Sequence, residues 1–151
     1  MPDKKTIKKA KELKEEGMSP STQAGEFIRQ EIHHIREGKH GARSTKQAIA
    51  IGLSEARRAG VKLPPPKKGK YADDVREQAI HELKEGQEHP NKKPSPTRSK
   101  ASLKALQKEG KNAASHAALS RHAKTAANKR TAKERSASAK KAAETRKEHE
   151  S

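Results

Sequence analysis

The densest apolar pattern in the chain is "QAIAIGLSEARRAG", residues 47–60. At 100° per residue, Ala48, Ile49, Gly52, Leu53, Ala56 and Ala59 fill one arc about 140° wide. Lys46, Gln47, Ala50, Ser54, Arg57 and Arg58 take the other side, and Ile51 needs a second neighbour. Ser44 and Gln47 have capping-box spacing, and Gly60 followed by Val61 matches a Schellman ending. The pattern predicts a helix over 45–59. Gly52 between Ala48 and Ala56 costs a lone helix roughly 1 kcal/mol against Ala. Small residues there suit a close crossing with another helix.

A second stripe precedes it. Ala24, Ile28, Ile32 and Ile35 share one face with Phe27 at its edge, opposite Arg29, His33 and Arg36. Ser19 suits the cap and Pro20 the first turn, so a helix is predicted over 21–37. Two weaker helices are predicted. One covers 4–16, with Ile7, Ala10 and Leu13; the other covers 72–85, with Val75, Ala79, Leu83 and Ile80. Asp73 and Asp74 suit its positive N-terminal end. "LKEEG", "IREG", "LKEG" and "LQKEG" end at Gly17, Gly38, Gly86 and Gly110, and "RRAG" ends at Gly60. Each reads as a helix stopped by a left-handed glycine.

The expected fold is all-α: a small, marginal helical module followed by a long, disordered or loosely helical tail. The divisions are a weak helix in 1–18, a two-helix module over 19–60, a Pro-rich spacer at 61–70 and a short helix in 71–88. A linker at 89–99 and a basic Ala/Lys-rich tail at 100–151 follow. The expected packing residues are Phe27, Ile28, Ile32, Ile35, Ile49, Leu53, Ala56, Val75 and Leu83.

Composition weakens the case for a large core. Only 17 of 151 residues are Leu, Ile, Val or Phe, and 14 of those precede residue 92. Alanine supplies 23 more apolar positions, which form helix readily but bury little area. Net charge is +17, of which residues 92–151 carry +12. Such a surplus resists compaction and favours a polyanion as partner.

Few chemistries fit. Cys is absent, so disulfides and thiolate metal sites are excluded. No apolar run is long enough to span a bilayer, and no apolar leader segment follows Met1, so no membrane insertion is expected. "GKHGARST" lacks the order of a phosphate-binding loop. Asp73 and Asp74 are adjacent and diverge, unlike a nuclease pair. His33 and His34 diverge by about 100° on a helix. His40, His116 and His122 find no Cys or carboxylate partner in the pattern, so surface histidines and no metal site are expected. The expectation is a non-enzyme without cofactors.

The basic residues carry the functional reading. In the tail they are Lys124, Lys129, Arg130, Lys133, Arg135, Lys140, Lys141, Arg146 and Lys147; in the module they are Arg43, Lys46, Arg57 and Arg58. Their expected contacts are phosphates, which hold without reading sequence. Duplex DNA is the favoured partner and RNA the alternative, with a homodimer through the helical module also open. The corresponding location is cytoplasmic and nucleoid-associated. The competing reading is a protein-interaction or stress-related structural protein docking through the 45–60 helix.

The stretch "EGKHGARSTKQAIAIGLSEARRAGVKLP", residues 37–64, resembles a family of small, basic, uncharacterised bacterial proteins. The shared positions are Ser44, Gln47, Ala48, Ile49, Ala50, Ile51, Leu53, Ser54, Glu55, Ala56, Arg57 and Gly60. The tail is similar to the Ala/Lys-rich ends of histone-H1-like bacterial proteins. The resemblance implies a bacterial or phage origin and a DNA-associated role, and brings no catalytic residues.

Overall fold

The computed structural model describes residues 2–90 and 92–150. Met1, Asn91 of the expected linker and Ser151 of the expected tail lie outside the described residues. The described residues form seven α-helices: α1 (Lys4–Glu15), α2 (Pro20–Arg36), α3 (Thr45–Arg58), α4 (Asp73–Glu88), α5 (Pro96–Gln107), α6 (His116–Asn128) and α7 (Ala132–Glu150). A 3-10 turn covers Asn112–Ala114, and no strand occurs among the described residues. The chain divides into two compact units, Met1–Ser115 and His116–Ser151.

The local signals of the first unit act as their chemistry requires. Ser19 accepts a hydrogen bond from the Thr22 N–H with Pro20 behind it, and Ser44 accepts from the Gln47 N–H at 3.1 Å. Gln47 Oε1 in turn accepts from the Arg43 N–H at 2.7 Å. Gly17, Gly38 and Gly60 have φ between 79° and 100°, and each closes a helix in the same way. The residue after each glycine donates back across the turn: Met18 to Leu13, Lys39 to His34, Val61 to Ala56. Gly86 differs. It lies inside α4, where a Cβ would stand 1.7 Å from the Arg57 carbonyl oxygen, so its role is close approach to α3. Gly110 has no positive φ either.

The core of this unit is small. Ala10, Ala24, Phe27, Ala56, Val61 and Leu63 form the buried cluster, with Ile7, Leu53 and Ala59 against it. Ile32 and Ile35 are buried as well, and Ile28, Ile49 and Leu83 are half-buried. Gly52 lets α3 approach α2 until a Cβ would be 2.7 Å from Ile28 Cα. Val75, expected on the packing face, is 48% exposed. The cause is where α4 touches α3. Contact starts at buried Ala79 and continues through Glu82 and Gly86, leaving the first turn of α4 beyond it. Glu82 accepts hydrogen bonds from Ser54, Arg58 and Gln78, which ties the two helices by charge as well as by packing.

The expected small module with a disordered or loosely helical tail is the main correction. Residues 96–107, 116–128 and 132–150 are α-helical. Ala113 and Ala114 are buried in the first unit. Their carbonyl oxygens accept from Thr45 Oγ1 at 2.7 Å and Arg36 Nε at 2.8 Å, stapling the 3-10 turn to α2 and α3. The Gly41 N–H donates to Leu106 O and the Ala42 N–H to Gly110 O. A folded unit therefore needs residues 106–115, whose apolar content is mostly alanine. The physical reason is that small side chains let polar backbone groups do the joining.

The second unit stands on local helix chemistry. Thr131 Oγ1 accepts from the Glu134 N–H, and Glu134 Oε2 accepts from the Thr131 N–H. This reciprocal capping box opens α7. Arg130 adds a bond to Glu134 O at 3.1 Å and another to Ser138 Oγ. No residue of α6 or α7 is buried.

Candidate functional site

Two places carry charge in unusual ways: a sequestered polar cluster at the α2–α3 turn, and the exposed basic residues. The cluster begins with Glu31 on α2. It lies between Ile28 and Ile35 on the apolar stripe, so the helix buries it, and 3% of its side chain is exposed. One turn later His34 brings Nδ1 to 3.4 Å from Glu31 Oε1, on a side chain 14% exposed. The Schellman turn at Gly38 then reverses the chain. It returns His40 to α2 with Nε2 at 3.0 Å from Glu31 Oε2 and its side chain 9% exposed. The two imidazoles meet edge to face, 6.2 Å between centroids.

The surroundings orient these rings. His40 Nδ1 lies 2.8 Å from the Gly41 carbonyl oxygen. That oxygen only accepts, so Nδ1 carries the proton and Nε2 faces Glu31. Gly41 is pinned from behind by its N–H bond to Leu106, and a Cβ there would stand 2.0 Å from Glu109 O. His34 Nε2 faces Asp3 Oδ2 at 3.6 Å. Asp3 is held by its own N–H, which donates to Gln30 Oε1 at 2.9 Å.

The fourth group is Glu55 of α3. Burial pushes its carboxyl up to about 8, and the neighbouring Glu31 carboxylate and the hydrogen bond to it add to the rise. Glu55 Oε2 is buried without a hydrogen-bond partner. Glu31 thus has an imidazole against each of its two oxygens and the Glu55 carboxyl beside it. The expectation of surface histidines is corrected for His34 and His40. Glu31 supplies the carboxylate that the sequence pattern did not reveal. The signal was present as a charged residue on an apolar stripe, with histidine three positions on.

The expected phosphate contacts fall in different settings. Arg43 and Lys46 are exposed at the start of α3. Arg57, expected on the open side, is buried. Its guanidinium donates to Leu63 O and Pro64 O, and burial lowers its pKa while Glu82 opposes the shift. It is a structural clamp on the Pro-rich segment. Arg58 is half-exposed and pairs with Glu82 at 3.3 Å. In the second unit Lys124, Lys129, Arg130, Lys133, Arg135, Lys140, Lys141, Arg146 and Lys147 are all exposed. Lys133, Lys140 and Lys147 recur every seven residues along α7, which sets them on one side of the helix. No helix is long and apolar enough to cross a membrane, among the described residues.

Residues 8–68 match a family of unknown function (DUF6496), to which this part of the chain is similar. No curated protein and no solved structure matches the chain.

Proposed function

We propose that the chain is a non-enzymatic, nucleoid-associated protein of the cytoplasm. It holds duplex DNA without sequence preference, through phosphate contacts from its second unit. One observation carries this reading. Every residue of α7 is exposed, and six of its 19 residues are Lys or Arg. A helix that buries nothing contributes little to a core. Its regularly spaced cations are placed for a ligand of regular negative charge. Across residues 116–150, ten Lys and Arg stand against four Glu. Arg43 and Lys46 offer further phosphate contacts from the first unit.

Docking of a partner on the apolar side of α3 has less support, because Ala48, Gly52 and Ala56 are already buried within the chain. Stacking on single strands also has little support, since one Phe and one Tyr are the only aromatic residues besides histidine.

The test is a titration of the full chain against a random-sequence DNA duplex and a matched RNA duplex over a salt series. Neutralising about eight phosphates gives a slope of log K against log salt near −7. Lys133→Gln, Lys140→Gln and Lys147→Gln together should reduce that slope by about 3. Failure to bind either duplex in dilute salt overturns the reading. Tighter binding to RNA moves it to an RNA-associated protein.

A further inference from the structure

We infer that Glu31, His34 and His40 form a binding site for one divalent transition-metal ion of the zinc class, with the neighbouring Glu55 carboxyl available to complete it. The site lies in the first unit and does not depend on the DNA reading. Three observations carry it.

The first is donor placement. One ligand atom from each of Glu31, His34 and His40 lies within 4.8 Å of the others. The closest pair is 3.0 Å apart. Donors about 2.0–2.2 Å from a tetrahedral zinc stand roughly 3.3–3.6 Å from one another. Side-chain adjustments of an ångström or so bring the set to that spacing.

The second is ring orientation. A metal-bound histidine commonly donates its other ring N–H to a carbonyl or carboxylate, which fixes the tautomer. His40 has such a partner, Gly41 O at 2.8 Å, while His34 Nε2 only faces Asp3 Oδ2 across 3.6 Å, beyond hydrogen-bond distance. With Nδ1 turned to Gly41, Nε2 is the ring atom that faces Glu31 Oε2 at 3.0 Å, so a nitrogen and an oxygen donor stand side by side for a cation.

The third is the unused oxygen. Glu55 Oε2 is buried with no hydrogen-bond partner, beside Glu31. Buried acceptors are nearly always satisfied. A two-imidazole, two-carboxylate set has the borderline character that suits zinc and excludes the softer, thiolate-seeking metals. The bound ion would join α2, the turn after Gly38 and α3, which are the pieces that the match over residues 8–68 contains.

The experiment uses the full chain, freed of metal with a chelator and then titrated with Zn2+ by calorimetry. Co2+ serves as a coloured substitute. The expected result is one ion per chain, intense visible bands of four-coordinate Co2+, and a melting temperature raised by Zn2+ and restored by chelator. His40→Ala and Glu31→Gln, each checked for helicity, should weaken binding at least tenfold. His33→Ala, on an exposed ring, should bind as the parent does, as should the double variant His116→Ala and His122→Ala. Absence of saturable one-to-one binding in the parent chain overturns the inference and leaves the Glu31–His40 contact a structural one. Unchanged affinity in a helical His40→Ala variant overturns it equally, because the ion then sits elsewhere. Should neither cluster variant fold, the parent's melting temperature decides: no shift with Zn2+ overturns the site.

Discussion

Helices α3 and α7 both mix alanine with basic residues and face opposite situations. α3 has alanine and glycine packed at 0% exposure or close to it, and a neighbouring helix on each of two sides. α7 is longer, richer in alanine and charge, and buries nothing. Alanine content therefore does not separate a core helix from a surface helix in this chain. Isoleucine, leucine and glycine at helical spacing do. The first unit gains from burial and is expected to melt cooperatively. The second gains mainly from capping and helix propensity, and such helices open locally at low cost.

The largest effect that sharpens this contrast is Phe27→Ala. Phe27 is fully buried and is the largest side chain in the core cluster. Its loss should cost about 3–5 kcal/mol, enough to unfold a unit with so small a core. Circular dichroism at 25 °C should show the loss. Leu119→Ala, at a half-buried position of α6, provides the counterpart and should leave the first unit's melting transition in place. A folded Phe27→Ala variant with an unshifted transition would break the comparison.

Glu55 gives the next effect, with a sign that depends on pH. In the metal-free folded chain its carboxyl keeps its proton up to about pH 8, against 4.5 for the ordinary group. Between those values the folded state binds a proton that the unfolded state has released. Stability therefore falls as pH rises from 4.5 towards 8 and levels above that. Glu55→Gln removes the cost and should stabilise the chelated protein at pH 8, by on the order of 2–4 kcal/mol. Denaturant melts at pH 5 and pH 8 measure it. An unchanged pH dependence in the variant would show that Glu55 is solvated.

Gly52→Ala ranks third. The added carbon would stand 2.7 Å from Ile28 Cα, so α2 and α3 must separate. Overpacking of this kind costs about 1–3 kcal/mol, which the better helix propensity of alanine only partly offsets. The matching change on the other unit is Ala139→Gly in α7. It should cost about 1 kcal/mol, confined to that helix, and should appear as faster amide exchange from α7 without a shift in the main transition.

The same contrast explains what could be read from sequence. Periodic isoleucines, Ser19, Ser44 and the glycines at 17, 38 and 60 act through short-range rules, so α2, α3 and their ends follow from the residues. Gly86 looked like the other helix-ending glycines and is not one. Its reason is the Arg57 carbonyl of a different helix, which no local pattern contains. Ala113 and Ala114 looked like tail. They are buried through backbone carbonyls bonded to Arg36 and Thr45, residues about 70 positions away or more. The Glu31–His34–His40–Glu55 cluster was half legible. Glu31 and His34 share a helix face, but His40 joins them only after the Gly38 turn, and Glu55 only through the close crossing at Gly52. Val75 erred in the other direction: its spacing is right, but the buried face of α4 runs only from Ala79 through Glu82 to Gly86.

The smallest effect on stability is the most informative about use. Lys133, Lys140 and Lys147 touch nothing buried, so replacing all three by Gln should change the melting temperature hardly at all, within about 0.5 kcal/mol per site. Helix propensity is nearly preserved, since Lys and Gln rank together. If the second unit exists to meet phosphate, the same triple change must still flatten the salt dependence of duplex binding by about 3 in slope. A protein that loses no stability and yet loses binding has put its cations to work on a ligand. Loss of helicity with unchanged binding would reverse the roles: α7 would then hold itself together by those charges, and the contact surface for DNA would have to be sought in the first unit, around Arg43 and Lys46.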